Sequence, residues 1–268
     1  FQGASEDGEI TTLGRGGSDT SAVILGVALE AEYVDIFTDV IGVMTADPRI
    51  VPEAHILEGL TYTEAAEIIQ QGAKVIHDKA MNIAREYRVP LRVRSLNDEG
   101  KGTLICDIRS MSKEGLRLFS QDRTVYSIAF RKGLAQFRVK LNGKKEDNLL
   151  MFQLLANKGI SIDLINLFPD IVAFVVEEGK ALRVKEILEK EGFELTLIYP
   201  CAKISLVGSG MADRPGVVAD MVEALRSSKI EILQTSDSHV TISCLVHATD
   251  MEKAIQVLHR KFQLEDIY

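Results

Sequence analysis

Hydrophobic positions along the chain follow two periods, and the switches between them mark out the elements. After "TTLGRGGSDTSA" (Thr11–Ala22), the apolar residues Ala22, Val23, Leu25 and Leu29 recur at helical spacing, which predicts a glycine-bearing loop feeding a helix capped by Ser18 or Asp19. "YVDIFTDV" (Tyr33–Val40) is β-rich and leaves no room for a second helix before it, so the order is loop, helix, strand. Gly42 and Pro48 then break the regularity of "IGVMTADPR", and "TYTE" (Thr61–Glu64) has capping-box spacing ahead of Ala65, Ala66, Ile68 and Ile69. Asp78 is placed to cap a further helix carrying Met81, Ile83, Ala84 and Tyr87; Pro90 stops it, and "LRVRS" (Leu91–Ser95) alternates as a strand. These residues predict an α/β unit. "DEGKGT" and "SMSKEG" flank the short strand "LICDI", and a boundary falls near Gln121.

The remainder repeats itself. "FQLLANKGISIDLINL" and "VEALRSSKIEILQTSD" superpose at an offset of 70 residues (Ile160 to Ile230), which also sets Leu155 on Leu225 and Ile162 on Ile232. Each copy reads strand, helix, strand, strand, helix, from "TVYSIAF" to "KALRVKEILEKEG" and from "KISLVG" to "DMEKAIQVLHRKF". With one more strand this is the ferredoxin-like βαββαβ unit, whose free face or edge pairs with the other copy or with a second chain. The expected organisation is an α/β unit over residues 1–120 and two repeats over 121–200 and 201–268.

Composition narrows what such a chain does. At 268 residues and 46% hydrophobic it has material for several cores, while apolar runs such as "SAVILGVALEA" are too short to span a bilayer. A net charge of -8 gives no electrostatic attraction to nucleic acid or anionic membranes, which leaves small molecules and proteins as partners. Cys106, Cys201 and Cys244 are odd in number and lack CxxC spacing, the usage of a reducing cytoplasm. The five histidines show no metal-ligand spacing, and no metal site is expected. Phe1 opens the chain without a Met or a signal peptide, as a piece of something longer would.

Three stretches carry chemistry. In "GRGGSD" the glycines let backbone N–H groups approach an anion at a helix N-terminus, and Arg15 adds a forked cation; a tight turn with a solvent-facing arginine fits the same residues. The spacing is not that of a P-loop, and no clear strand precedes it as a dinucleotide fingerprint requires. "TDVIGVMTADPR" (Thr38–Arg49) puts Asp39, Asp47 and Arg49 in a loop at the end of a predicted strand, where open α/β sheets bind ligands. "GAKVIH" (Gly72–His77) contributes Lys74, a point charge suited to phosphate or simply solvated.

In these stretches, in "VPLRVRS" and "GTL", and in the tandem repeats that follow, the whole chain resembles the aspartokinases of the amino-acid kinase family. The resemblance implies a partial amino-acid kinase lobe of three-layer αβα type followed by two ACT domains, and transfer of a phosphoryl group from MgATP to the side-chain carboxylate of L-aspartate, for the lysine, threonine, methionine and diaminopimelate routes. It places Arg15 and Ser18 on the aspartate α-groups, Asp19 at the reacting end as the catalytic residue, and Gly16 and Gly17 in the bare loop. It puts Thr38, Asp39 and Met44 on the nucleotide, Asp47 and Arg49 along its ribose and phosphates, and Lys74 on its base side. Ile41, Met44 and Asp78 depart from the residues usual at their positions. The family's first lobe, with its "KFGGTS" stretch and catalytic lysine, has no counterpart here, so the 268 residues alone are expected to be inactive.

For the repeats the resemblance implies a feedback effector held by Ser161, Ile162, Asp163 and Asn166 in the first copy, and by Met211, Asp213, Gly216, Val217, Ser236 and Asp237 in the second. The compact first copy and "LQTSDSH" are most similar to the diaminopimelate-sensitive aspartokinases of Gram-positive spore formers, which implies meso-diaminopimelate ahead of lysine or threonine. A homodimer joined through the ACT domains follows from the same resemblance. A separately made regulatory subunit is the alternative, and a relative of the acetylglutamate or glutamate-5-kinases is disfavoured by the tandem tail.

Overall fold

The first helix starts at a glycine. In this computed structural model, described over residues 1–73, 75–97, 100–107, 124–141, 147–211 and 214–265, a small hairpin of β1 (Gln2–Ala4) and β2 (Ile10–Thr12) leads into α1 (Gly17–Ala28). Gly16 is its N-cap in the left-handed region, with φ 70°, and no side chain caps it. Ser18 and Asp19, the expected caps, therefore lie inside the first turn. The expected boundary near Gln121 lies outside the described residues.

The α/β unit continues with β3 (Val34–Thr38), β4 (Gly59–Thr61), α2 (Tyr62–Gln70), α3 (Asp78–Tyr87), β5 (Leu91–Ser95) and β6 (Thr103–Cys106). The capping box forms as the sequence predicts: Glu64 N–H donates to Thr61 Oγ1 at 3.2 Å and Thr61 N–H to Glu64 Oε2 at 2.8 Å. Asp78 is the first residue of α3 rather than its cap, because His77 Nδ1 accepts the Lys79 N–H. The four strands lie in the order β3-β5-β6-β4, with β3 parallel to β5, β4 parallel to β6, and β5 antiparallel to β6. In β5 the alternation buries Leu91, Val93 and Ser95 and leaves Arg92 and Arg94 half-buried. Val23, Ile36, Met81, Leu91, Val93 and Ile105 form the core here, at about 1.5–3 kcal/mol for each buried side chain.

The described residues from Thr124 onward build one antiparallel sheet. Its elements are β7 (Val125–Lys140), α4 (Asp147–Asn157), β8 (Asp163–Leu167), β9 (Ile171–Glu177), α5 (Ala181–Lys190), β10 (Leu195–Gly208), α6 (Val217–Ser227), β11 (Gln234–Asp237), β12 (Thr241–His247) and α7 (Met251–Lys261). The strand order is β11-β12-β10-β7-β9-β8. The offset of 70 survives in three dimensions: β9 and β12 begin at Ile171 and Thr241, α5 and α7 at Ala181 and Met251, and Leu155 and Leu225 are both buried. Stacked Phe137 and Phe174, with ring centroids 5.3 Å apart, centre the first core, and Ile204, Leu206, Cys244 and Val246 centre the second.

Strand sharing departs from the sequence reading. "TVYSIAF", expected to open the first copy, pairs along Val125–Phe130 with Ile204–Gly208 and so closes the second copy. The first copy opens with Leu134–Lys140, paired with β9, and is closed by Leu195–Ile198. Each of β7 and β10 thus runs through both repeats. The face of β7 and β10 that carries Tyr126, Ala129 and Val207 completes the core of the α/β unit together with Ala65 and Ile68 of α2. At the end of α2, Gly72 (φ 126°) passes so close to β7 that a Cβ there would lie 2.2 Å from the Phe130 carbonyl oxygen.

Candidate functional site

The glycine loop is locked to the start of α3. A Cβ at Gly16 would sit 2.0 Å from His77 Cγ, so the position needs glycine for space as well as for its φ of 70°. His77 in turn donates its backbone N–H to Asp19 Oδ2 at 3.1 Å, Ser18 Oγ donates to Asp19 Oδ1 at 3.3 Å, and Thr20 Oγ1 donates to the Gly16 carbonyl at 2.8 Å. Asp19 is therefore a fixed, part-buried carboxylate. Gly17 is buried, and Arg15 and Ser18 are exposed beside it. The structure brings Arg15, Gly16, Gly17, Ser18 and Asp19 into one surface at a helix N-terminus, a place suited to anions. Sequence reasoning did not find His77 as the anchor, since a backbone donor leaves no trace in residue type.

The second stretch follows β3. Thr38 Oγ1 donates to Asp39 Oδ1 at 3.0 Å at the carboxyl end of the strand. Met44 forms an isolated antiparallel bridge with Ile56, and the Val43 N–H donates to Thr103 Oγ1 at 2.8 Å. Asp47 accepts the Arg49 N–H at 2.9 Å and the Arg49 guanidinium at 2.7–3.2 Å, while its carbonyl accepts from Ile50 and Val51 N–H. Hydrogen bonding from Arg49 holds the Asp47 carboxyl below the usual carboxylate range. Asp47 and Arg49 thus engage each other, and the Arg49 side chain remains 86% exposed. Lys74 lies outside the described residues.

In the repeats, the edge strands β8 and β11 meet. Gln234 of β11 donates its amide to Leu164 O and Asn166 Oδ1 of β8, and Gln136 of β7 donates to Gln234 Oε1 at 2.8 Å and Leu233 O at 3.2 Å. Asp163 Oδ2 accepts from Lys203 Nζ at 2.9 Å and Asp163 Oδ1 from the Leu164 N–H at 2.8 Å. Ser161 is exposed and Ile162 half-buried before this strand; Ser236 and Asp237 are exposed on β11. Met211 and Val217 are buried in the second core, and Gly216 (φ 104°) is the N-cap of α6. Asp213 lies outside the described residues. Sequence reasoning missed Lys203, although a lysine amid "CAKISLVG" is a signal that a strand carries a buried charge with a partner.

A model of the amino acid kinase family matches residues 1–95, and an ACT domain model matches residues 197–260. The chain is 46% identical to Aspartokinase 1 of Bacillus subtilis over 98% of its own length and 65% of that protein, and 40% identical to Aspartokinase 2 of the same organism over the same shares. It superposes on Clostridium acetobutylicum aspartate kinase with a TM-score of 0.86 at 25% identity, covering 98% of this chain and 61% of that one. The chain belongs to the aspartokinase family.

It spans a little under two thirds, 65%, of the length of those curated relatives. The aspartokinase fold reading holds: an α/β fragment of the amino acid kinase fold precedes ferredoxin-like ACT repeats. Among the described residues of this aspartokinase chain, no helix is long and apolar enough to cross a membrane.

The Asp163–Lys203 pair gives the aspartokinase repeats an acid-sensitive contact. Burial pushes the Asp163 carboxyl up, but the Lys203 ammonium and the Leu164 N–H outweigh it and leave the group below the usual carboxylate range. A carboxyl lowered in the folded state stabilises fully above its unfolded pKa of about 4, and that contribution is lost as pH falls through the folded value. Lys203→Met is expected to lower the urea midpoint at pH 7 by removing the cation that faces Asp163, with the gap to wild type closing as pH falls below the usual carboxylate range and the carboxyl protonates. A gap of the same size at pH 7 and below that range would show that the ion pair is not what Lys203 contributes.

Proposed function

We propose that this chain is the aspartate- and nucleotide-contacting part of an aspartate kinase together with its regulatory tail. The observation that carries the reading is the anchored Asp19 loop, which offers a fixed carboxylate beside Arg15, Ser18 and a helix N-terminus. E. coli aspartokinase III, solved with aspartate and ADP, superposes at a TM-score of 0.77 with 29% identity, covering 97% of this chain and 59% of that one.

In the proposed reaction the β-carboxylate oxygen of L-aspartate attacks the γ-phosphorus of MgATP, the bond from that phosphorus to the bridging oxygen breaks, and ADP leaves with the bond pair. Aspartate supplies its own nucleophile, so the protein's work is positioning and charge neutralisation. Arg15 and Ser18 hold the α-groups of aspartate and Asp19 orients its reacting end. Thr38, Asp39 and Met44 contact the nucleotide, with Asp47, Arg49 and Lys74 toward its ribose, phosphates and base side.

The 268 residues alone do not turn over in this reading, because the remaining third of the relatives' length supplies the other half of the phosphate clamp. Exposed Ile24 and Leu25 on α1, Leu29 at its C-cap and Phe37 on the edge strand β3 support a covering segment there. Exposed Ile165, Leu167 and Phe168 on and beside the edge strand β8 support a homodimer through the repeats. The three buried free cysteines support a cytoplasmic protein. E. coli aspartokinase III has also been solved with lysine and aspartate; for this chain meso-diaminopimelate is the proposed effector, held by the Asp163 and Asp237 regions.

The test is hydroxamate trapping of the acyl phosphate made from ATP and L-aspartate, run with the full-length protein and with this chain, with meso-diaminopimelate, lysine and threonine each added in turn. Product from the full-length protein only, suppressed by meso-diaminopimelate, is expected. No product from the full-length protein removes the kinase reading, inhibition by lysine or threonine reassigns the effector, and indifference to all three removes the sensing role.

A further inference from the structure

The loop that carries Asp47 and Arg49 is fastened to the second ACT repeat. Thr45 is 1% exposed in the middle of that loop, and His259, on the last turns of α7, is fully buried against it, with Nε2 3.0 Å from Thr45 Oγ1. The remaining polar atoms of Thr45 are also committed. Its N–H donates to the His55 carbonyl at 3.0 Å, its Oγ1 accepts the His55 N–H at 3.2 Å, and its carbonyl accepts the Ile128 N–H of β7 at 2.8 Å. On either side, Ser127 Oγ donates to the Met44 carbonyl at 3.0 Å and Gln256 Nε2 of α7 donates to the Ile50 carbonyl at 2.9 Å. Ala46, Ile50 and Val51 pack into the same core as Ile255 and Leu258 of α7.

We propose that His259, acting through Thr45, is a positioning residue for the nucleotide: the second repeat sets where Asp47 and Arg49 stand. The inference rests on the aspartate kinase reading above. The tight turn that carries Arg49 runs from Asp47 to Val51, closed by the Ile50 and Val51 N–H groups on the Asp47 carbonyl, and Ala46 alone separates it from Thr45, so a shift at Thr45 is delivered to the Asp47–Arg49 pair rather than absorbed. A hydrogen bond buried on both sides resists such a shift, because breaking it strands two polar groups away from water. Any movement of α7 then changes how the enzyme holds ATP while the aspartate loop, anchored on His77, stays where it is.

The experiment is steady-state kinetics of the full-length protein with Thr45→Val, which keeps the shape and removes the hydroxyl, and Thr45→Ser, which restores it. Thr45→Val is expected to raise the KM for ATP about five-fold or more, at least the size of one of the two hydrogen bonds that Oγ1 makes, with kcat and the KM for aspartate within two-fold. Thr45→Ser is expected to return the ATP value close to wild type, and Thr45→Val with His259→Phe to be no worse than the worse single variant. Should Thr45→Val not fold, Gln256→Met at an exposed position decides, with a smaller rise in the same constant expected. An unmoved KM for ATP, a parallel rise for aspartate, or a serine variant as impaired as the valine one would overturn the inference. A wild-type protein that phosphorylates no aspartate sinks the parent reading, whereas an active wild type with an indifferent Thr45→Val sinks this inference alone.

Discussion

Gly16→Ala is expected to destabilise the α/β unit by on the order of 3 kcal/mol and to raise the KM for aspartate of the full-length protein more than ten-fold. Two costs add. A residue with a Cβ held at φ 70° costs about 1–2 kcal/mol, and that Cβ would lie 2.0 Å from His77 Cγ and 2.4 Å from His77 Cβ. The histidine has little freedom to retreat, since its ring accepts the Lys79 N–H as the cap of α3 and its backbone N–H holds Asp19. Relief of the clash therefore moves the Asp19 carboxylate. Denaturant midpoints check the stability term, and aspartate kinetics check the displacement. Adding His77→Gly, measured against the His77→Gly single variant, should recover the steric share and leave the backbone share, whereas His77→Ala would keep the Cβ contact at 2.4 Å; a single Gly16→Ala variant as stable as wild type would show that the loop does not pack on His77.

The second large effect belongs to the seam between the two halves of the chain. Gly72→Ala places a Cβ 2.2 Å from a main-chain oxygen, Phe130 O, at a φ of 126° that side chains rarely adopt. Neither partner yields cheaply, because Phe130 is fixed by its pairing with Ile204 and α2 is fixed by Ala65 and Ile68 in the core. The end of α2 must lift from β7, exposing Tyr126, Ala129 and Val207. A loss of about 3 kcal/mol or more is expected, and with it the cooperativity: wild type should melt in one calorimetric transition and Gly72→Ala in two. A single transition with an unshifted midpoint in the variant would contradict the contact.

Local features were legible in the sequence and long-range ones were not. The capping box at Thr61 and Glu64, the alternation of Leu91–Ser95 and the 70-residue repeat are written within short windows and appear as read. The caps of α1 and α3 were misassigned because His77, far along the chain, leaves room only for glycine at position 16 and supplies its own ring nitrogen at α3. Strand β7 was read as ending near Phe130, since nothing in Arg131–Gly133 announces that the backbone continues to Lys140. The resemblance implies Asp163 as an effector contact and does not announce its lysine partner, which lies on another strand, 40 residues along. The candidate catalytic loop was legible as a set of residues; its anchoring was not.

Sharing of β7 and β10 also bears on how such a protein can be recombined. The first repeat enters and leaves through the middles of the same two neighbouring strands, between about Gly133 and Pro200, so it is one contiguous insertion carried on a hairpin of its host. The second repeat is the host, assembled from Val125–Phe130 and from everything after Cys201. Exchange of a single segment can therefore transplant the first repeat between relatives, whereas the second can be replaced only by cutting the chain twice and rebuilding the strand that also floors the α/β unit.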